Sequence, residues 1–187
     1  MSHEPTQRHD VIIVGAGPSG LMMALLLAKY GLTSHIIERR AAVLQAPRAH
    51  AVNGKTVEIC GTAGIPADEI YAAGMPATHG GRVNFWSTLS GTYLGGLAYE
   101  RQDDAVLEQA AYKLVNISQP QFEAILNRHS QANPHITLSR GAKCIGFTQE
   151  PDAVSVQVET QDGQREMTAD YLIAADGAGS VLRAAMG

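Results

Sequence analysis

A chain of 187 residues can bury a core as one domain, or one and a fraction. Its 45% hydrophobic and 17% charged residues describe a soluble globular protein, and a net charge of -4 gives no reason to expect nucleic acid or an anionic membrane as partner. The longest apolar run, Leu21 to Ala28, is far too short to span a bilayer, and the polar start MSHEPTQRHD lacks the apolar core of a secretion signal.

Residues 1 to 9 read as a loose tail. The stretch Asp10 to Glu38 then carries the strongest pattern in the chain. Val11 to Val14 is an apolar β-branched run that suits a strand buried on both faces. Gly15, Gly17 and Gly20 follow in the G-x-G-x-x-G spacing, and a nearly all-apolar helix, Leu21 to Ala28, is stopped by Gly31. A second strand, His35 to Ile37, ends on Glu38, eighteen positions after Gly20. Together these make a unit for the ADP half of a dinucleotide. Gly15 permits the tight turn, Gly17 keeps side chains away from the pyrophosphate, and Gly20 lets the helix pack closely. The helix N-terminus offers free N–H groups to the phosphates. Glu38 can accept from a ribose hydroxyl, and its charge argues against a 2′-phosphate in this pocket. The expected ligand is FAD or NAD rather than NADP.

Ala41 to Ala49 is a small-residue loop carrying Arg48. Asn53 to Ala63 has helical spacing at Val57, Ile59 and Cys60, with Asn53 as N-cap. Residues 74 to 97 hold three aromatics, Phe85, Trp86 and Tyr93, and alternate like strands with glycine turns. Asp103 to Tyr112 suggests a short helix and Val115 to Ile117 an extended link. Ser118 caps a helix over Gln119 to Gln131, in which Pro120 sits in the first turn at no cost. After a short, buried-type strand at Ile136 to Leu138, three alternating strands near 143–149, 153–160 and 164–169 form a β-meander. Its turns are signalled by Glu150-Pro151-Asp152 and Asp162-Gly163. A last strand, Tyr171 to Ala175, runs into Asp176-Gly177-Ala178-Gly179-Ser180, and Val181 to Met186 opens another helix.

Seven histidines, at 3, 9, 35, 50, 79, 129 and 135, make no metal-binding cluster, and no Ser-His-Asp or Cys-His arrangement stands out. Cys60 and Cys144 are isolated, which fits a reducing cytoplasm and a cytoplasmic location. No metal is expected and no residue is assigned as catalytic.

In order and separation, VIIVGAGPSGL with Glu38, PRAHAVNGKTVEI, ISQPQFEAIL and YLIAADGAGSVLR resemble the flavin-dependent aromatic hydroxylases. This is the para-hydroxybenzoate hydroxylase and phenol hydroxylase group of FAD monooxygenases. The resemblance runs from about residue 10 to the end. It implies an α/β fold: a Rossmann-like FAD-binding domain with a β-meander and part of a substrate-domain sheet. Residues 1–73 and 109–187 would be the two segments of the FAD domain, incomplete at the C-terminus, and 74–108 an excursion belonging to the substrate domain.

The family's roles then fall on particular residues. Gly15, Gly17, Pro18, Ser19 and Gly20 would cradle the FAD pyrophosphate, with Glu38 on the adenosine ribose and Arg39 beside it. Arg48 would reach the phosphate region and Gln119 the ribityl or phosphate portion. Cys144 sits where the family packs backbone near the adenine. Asp176 and Gly177 match the motif tied to both FAD and the reducing cofactor. The implied reaction is hydroxylation of a phenolic or similar ring with NAD(P)H and O₂ as co-substrates, with a homodimer left open.

The family also carries a Gly-Asp pair beyond the Asp-Gly element, and more substrate-pocket strands, that this sequence does not contain. The chain is therefore read as a portion of a longer enzyme or a shortened relative. The alternatives are a non-catalytic FAD- or ADP-binding module, or a related flavin epoxidase, halogenase or reductase. Against a halogenase, Trp86 is the only tryptophan and no tryptophan motif follows the first helix region.

Overall fold

The computed structural model describes residues 9–43, 49–99 and 102–186. They fall into two compact units, Met1–Gln45 with Glu123–Gly187, and Ala46–Phe122.

The first unit is built on one six-stranded sheet. Its strands are β1 (His9–Val14), β2 (Ser34–Glu38), β5 (Ile136–Arg140), β6 (Lys143–Gln149), β7 (Val154–Thr160) and β8 (Gly163–Ala174). They lie in the order β5-β2-β1-β8-β7-β6. β5, β2, β1 and β8 run parallel, while β6, β7 and β8 form the antiparallel meander. The long helix α1 (Pro18–Lys29) connects β1 to β2, the crossover that a parallel pair requires. Gly31, at φ +78, ends the turn that follows it.

Burial explains the apolar runs. Ile12, Val14 and Ile37 pack with Val154, Val156, Val158, Met167 and Leu182 in one cluster, so the meander covers the β1–β2 strands. Leu21, Ala24, Leu25 and Ala28 form the buried stripe of α1. A fully buried aliphatic side chain of this kind contributes roughly 1.5–3 kcal/mol relative to leaving it exposed.

The α/β fold expected from the sequence is observed, with two differences in its sheet. The last meander strand and the final parallel strand are one continuous strand, β8, twelve residues long. Nothing breaks it at Asp170, because its first half pairs with β7 and its second half with β1. β5 is an edge strand in which only Ile136 is buried, rather than a buried strand. Tyr171, on β8, is 70% exposed although its strand is central.

The second unit begins with α2 (Gly54–Thr62), capped as expected by Asn53, whose Oδ1 accepts the Thr56 N–H at 2.8 Å. Two helices follow that the sequence reading passed over: α3 (Ala67–Ala73) and the single turn α4 (Ala77–Gly80). Each is entered through a proline, and α3 has Asp68 and Glu69 in its first turn, a charge placement that favours a helix start. The strands in 74–97 reduce to one hairpin, β3 (Arg82–Trp86) with β4 (Tyr93–Ala98). The helix expected at 103–112 is a short 3₁₀ turn, Asp104–Glu108. Val115 makes an isolated bridge to Val52, which fits the extended link. Helix α5 (Gln119–Gln131) has the expected bounds, and the division between the two units falls within it.

Candidate functional site

β1, β2 and β8 end together at one edge of the parallel sheet, where an open α/β sheet receives its ligands. The glycine turn leaves β1 there. Gly15 has φ +108, and its N–H donates to Ile37 O at 2.8 Å. A Cβ on Gly15 would stand 2.3 Å from Ala175 O, and one on Gly20 would stand 1.9 Å from Gly15 O. Both glycines are therefore required by the protein's own backbone. Gly17 differs: nothing lies within 4 Å of its Cβ position. It is the N-cap of α1, with Pro18 next and Ser19 exposed. The open space is at the helix end whose first N–H groups have no intrahelical partner.

Glu38 closes the other side. It is buried, with 9% exposure, and both carboxylate oxygens are used. Oε2 accepts the Ala16 N–H and Oε1 the Arg40 N–H, each at 2.9 Å. The acid thus holds the glycine turn against the end of β2. Sequence reasoning gave Glu38 a ligand role and missed this second one, because the partner is a backbone group with no residue-type signal. Arg39 is exposed at the rim of the turn.

The Asp-Gly element meets the glycine turn directly. Ala175 N–H donates to Val14 O at 2.8 Å, and Ala175 O is the atom that excludes a side chain at Gly15. Asp176 Oδ2 accepts the Val181 N–H at 3.0 Å, and Ser180 Oγ accepts the Arg183 N–H at 2.9 Å. Together they cap α6 (Val181–Met186). Burial pushes the Asp176 carboxyl up, but hydrogen bonds from Ser180 and from backbone N–H groups outweigh it and hold the carboxyl below its usual range. Gly177 adopts φ +87, where a side chain would be strained.

Cys144, on β6, is half-buried with its Sγ directed to Gly146 O at 3.6 Å. Burial and the charge of Asp176 raise its thiol, so it is a neutral packing group. Burial lifts Cys60 to about 11. Gln119 opens α5 and belongs to the second unit, where its N–H donates to Ala49 O at 2.9 Å. Arg48 lies outside the described residues. Among the described residues no group of three metal-ligating side chains occurs, and no helix is long and apolar enough to cross a membrane.

The cradle has the geometry that takes the ADP portion of a dinucleotide. It has an open Gly17 at a helix start, an acid at the end of β2, and a strand edge with both loops side by side.

The family model for the FAD binding domain matches residues 8–187. Among curated proteins, a 3-(3-hydroxy-phenyl)propionate/3-hydroxycinnamic acid hydroxylase of Burkholderia cenocepacia is 30% identical over 96% of this chain. A phenol 2-monooxygenase of a Pseudomonas strain is 31% identical over 95% of it. Among solved structures, the flavin-dependent monooxygenase PieE, in complex with FAD and substrate, superposes with a TM-score of 0.88 at 29% identity over 98% of this chain and 33% of its own. Aklavinone-11 hydroxylase with FAD and aklavinone gives 0.84 at 27% identity, over 98% of this chain and 35% of its own. The chain spans about a third of the length of the curated relatives, 32% of the first hydroxylase and 30% of the phenol monooxygenase. Its β1–α1–β2 cradle is thus one that flavoproteins share, and the chain belongs to the FAD binding domain family, whose cofactor is FAD.

Proposed function

We propose that this chain supplies the FAD-binding part of a monooxygenase that hydroxylates a phenolic or other small aromatic ring with NAD(P)H and O₂. The observation that carries the reading is the pairing of the glycine turn with the Asp-Gly loop, seen in the contact of Gly15 with Ala175 O. The hydroxylase names of the relatives, over nearly all of this chain, support the reaction class. When bound, the flavin supplies electron transfer from the nicotinamide and activation of O₂ toward the ring.

The chain's own residues bind and orient. Gly17, Pro18, Ser19 and the first N–H groups of α1 take the pyrophosphate, with Gly15 and Gly20 shaping the turn. Glu38 takes the adenosine ribose while keeping the turn in place through Ala16. Arg39 flanks it, Arg48 and Gln119 serve the phosphate and ribityl side, and the strand of Cys144 backs the adenine. Asp176 and Gly177 hold the second loop at the cofactor. No residue of this chain is assigned the substrate's proton.

Residues 1–73 and 109–187 are the two segments of the cofactor domain in this reading, and 74–108 belongs to the substrate sheet. The hairpin fits that role. Phe85, Trp86, Leu89, Tyr93, Leu94 and Leu97 are all exposed, and a two-stranded ribbon is marginal without further layers. The same exposure favours a second reading, a flavin-binding module that does not turn over without further strands.

The test loads the purified chain with FAD and adds NADH or NADPH with a panel of phenols. Nicotinamide oxidation coupled to ring hydroxylation supports the first reading. Bound flavin with no oxidation supports the second, and no flavin binding contradicts both.

A further inference from the structure

The end of the parallel sheet opposite the cradle holds two buried imidazoles. His9, opening β1, and His35, second in β2, are 4% and 7% exposed. His9 Nε2 and His35 Nδ1 lie 3.3 Å apart with the rings edge to face, and His35 Nε2 lies 2.8 Å from Ser139 Oγ on β5. A side-chain chain thus ties three neighbouring parallel strands together. We propose that the His9–His35–Ser139 chain is an acid-sensitive lock: neutral, it joins β1, β2 and β5, and gaining a proton opens it.

The geometry limits how many protons the pair can hold. Two nitrogens at 3.3 Å share one hydrogen, so one must accept from the other. Any added proton is forced outward, and His9 Nδ1 is buried with no hydrogen-bond partner among the described residues. On β1, the Asp10 carboxylate, whose Oδ2 accepts from Thr33 N at 2.6 Å and Thr33 Oγ1 at 2.8 Å, favours a charged His9, but burial outweighs it. On β8, Arg165 adds a like charge, while Asp170, next to the register partner Ala169, is exposed. On β5, the Arg140 guanidinium donates to Asn127. At the far end of β2, Glu38 is committed to Ala16 and Arg40.

Burial accordingly lowers His9, and burial, with His9 and Arg165 adding to it, lowers His35 to about 4. Since both rings are held below their unfolded values, the unfolded chain binds protons first as the pH falls. The stability is present above about pH 6.5 and is lost on descending toward pH 4. β2 ends on Glu38, so opening the lock also loosens the cradle, a consequence that rests on the flavin reading. The tests below involve no flavin and stand apart from it.

In the chain labelled at histidine and followed by NMR from pH 8 to 5, His35 should remain neutral while the chain stays folded, and His9 should titrate below its ordinary value. Between pH 7.5 and 5 the unfolded-to-folded ratio should rise roughly thirtyfold on account of His35 alone. His35→Asn should flatten that dependence, with His9→Gln as the second variant. The lock is overturned if all seven imidazoles titrate near their ordinary value in the folded chain, or if His35→Asn keeps the full acid sensitivity. Where a variant does not fold, the titration of the unaltered chain decides.

Discussion

Glu38 reaches back across the α1 crossover to accept the Ala16 N–H at 2.9 Å. One carboxylate therefore fixes the glycine turn, and in the proposed reading it also takes the adenosine ribose. Removing it should affect the ligand and the turn together. Glu38→Ala is expected to weaken FAD binding by about 1–3 kcal/mol, the usual cost of a lost charged hydrogen-bond acceptor. Flavin fluorescence titration of the two proteins measures it, and unchanged affinity would remove Glu38 from the site.

The three glycines of the turn should respond differently. Gly20→Ala forces a Cβ to 1.9 Å from Gly15 O, and Gly15→Ala sets one 2.3 Å from Ala175 O at φ +108. Each should destabilise the fold by about 3 kcal/mol or more. Gly17→Ala meets only open space, so its unfolding midpoint should hold while FAD affinity falls. Thermal unfolding in parallel with flavin titration separates the two outcomes. A Gly17→Ala protein that binds FAD normally would contradict the pyrophosphate assignment.

Much of this site was legible beforehand because each part has a residue-type signature. The glycine spacing, the apolar strand and helix, and the terminal acid each answer to a separate physical demand. What the sequence hid was pairing between backbone atoms. Ala175 O against Gly15, and Ala16 N–H on Glu38, involve alanines that carry no signal of their own. The continuity of β8 was hidden for a related reason. Asp170 reads as a break, but its strand changes partners from β7 to β1 without interruption. α3 was missed although Pro66, Asp68 and Glu69 mark its start, because seven residues give too little periodicity to set against the surrounding loops.

Ser180 caps α6 through the Arg183 N–H, and Asp176 takes the Val181 N–H. Ser180→Ala should cost about 1 kcal/mol. Asp176 is held below its ordinary value, so its contribution is present above about pH 4 and disappears as the pH falls through the lower folded value. Acid unfolding of Asp176→Asn against the unaltered chain checks this, since the variant should lack that acid-side loss.

Leu89, at the hairpin tip, is fully exposed. Leu89→Ser should change the stability of the isolated chain by no more than about 0.5 kcal/mol. A larger loss in denaturant unfolding would show that the hairpin already packs against something in this chain.

In the proposed reading the β1–α1–β2 cradle takes the ADP half of FAD. The most direct measurement is titration of the purified, folded chain with FAD and separately with ADP, repeated for Gly17→Ala. Saturable binding of FAD, competition by ADP, and weaker binding of both by the variant are expected. A folded chain that binds neither ligand, or a variant that binds both as well as the parent, would contradict that reading.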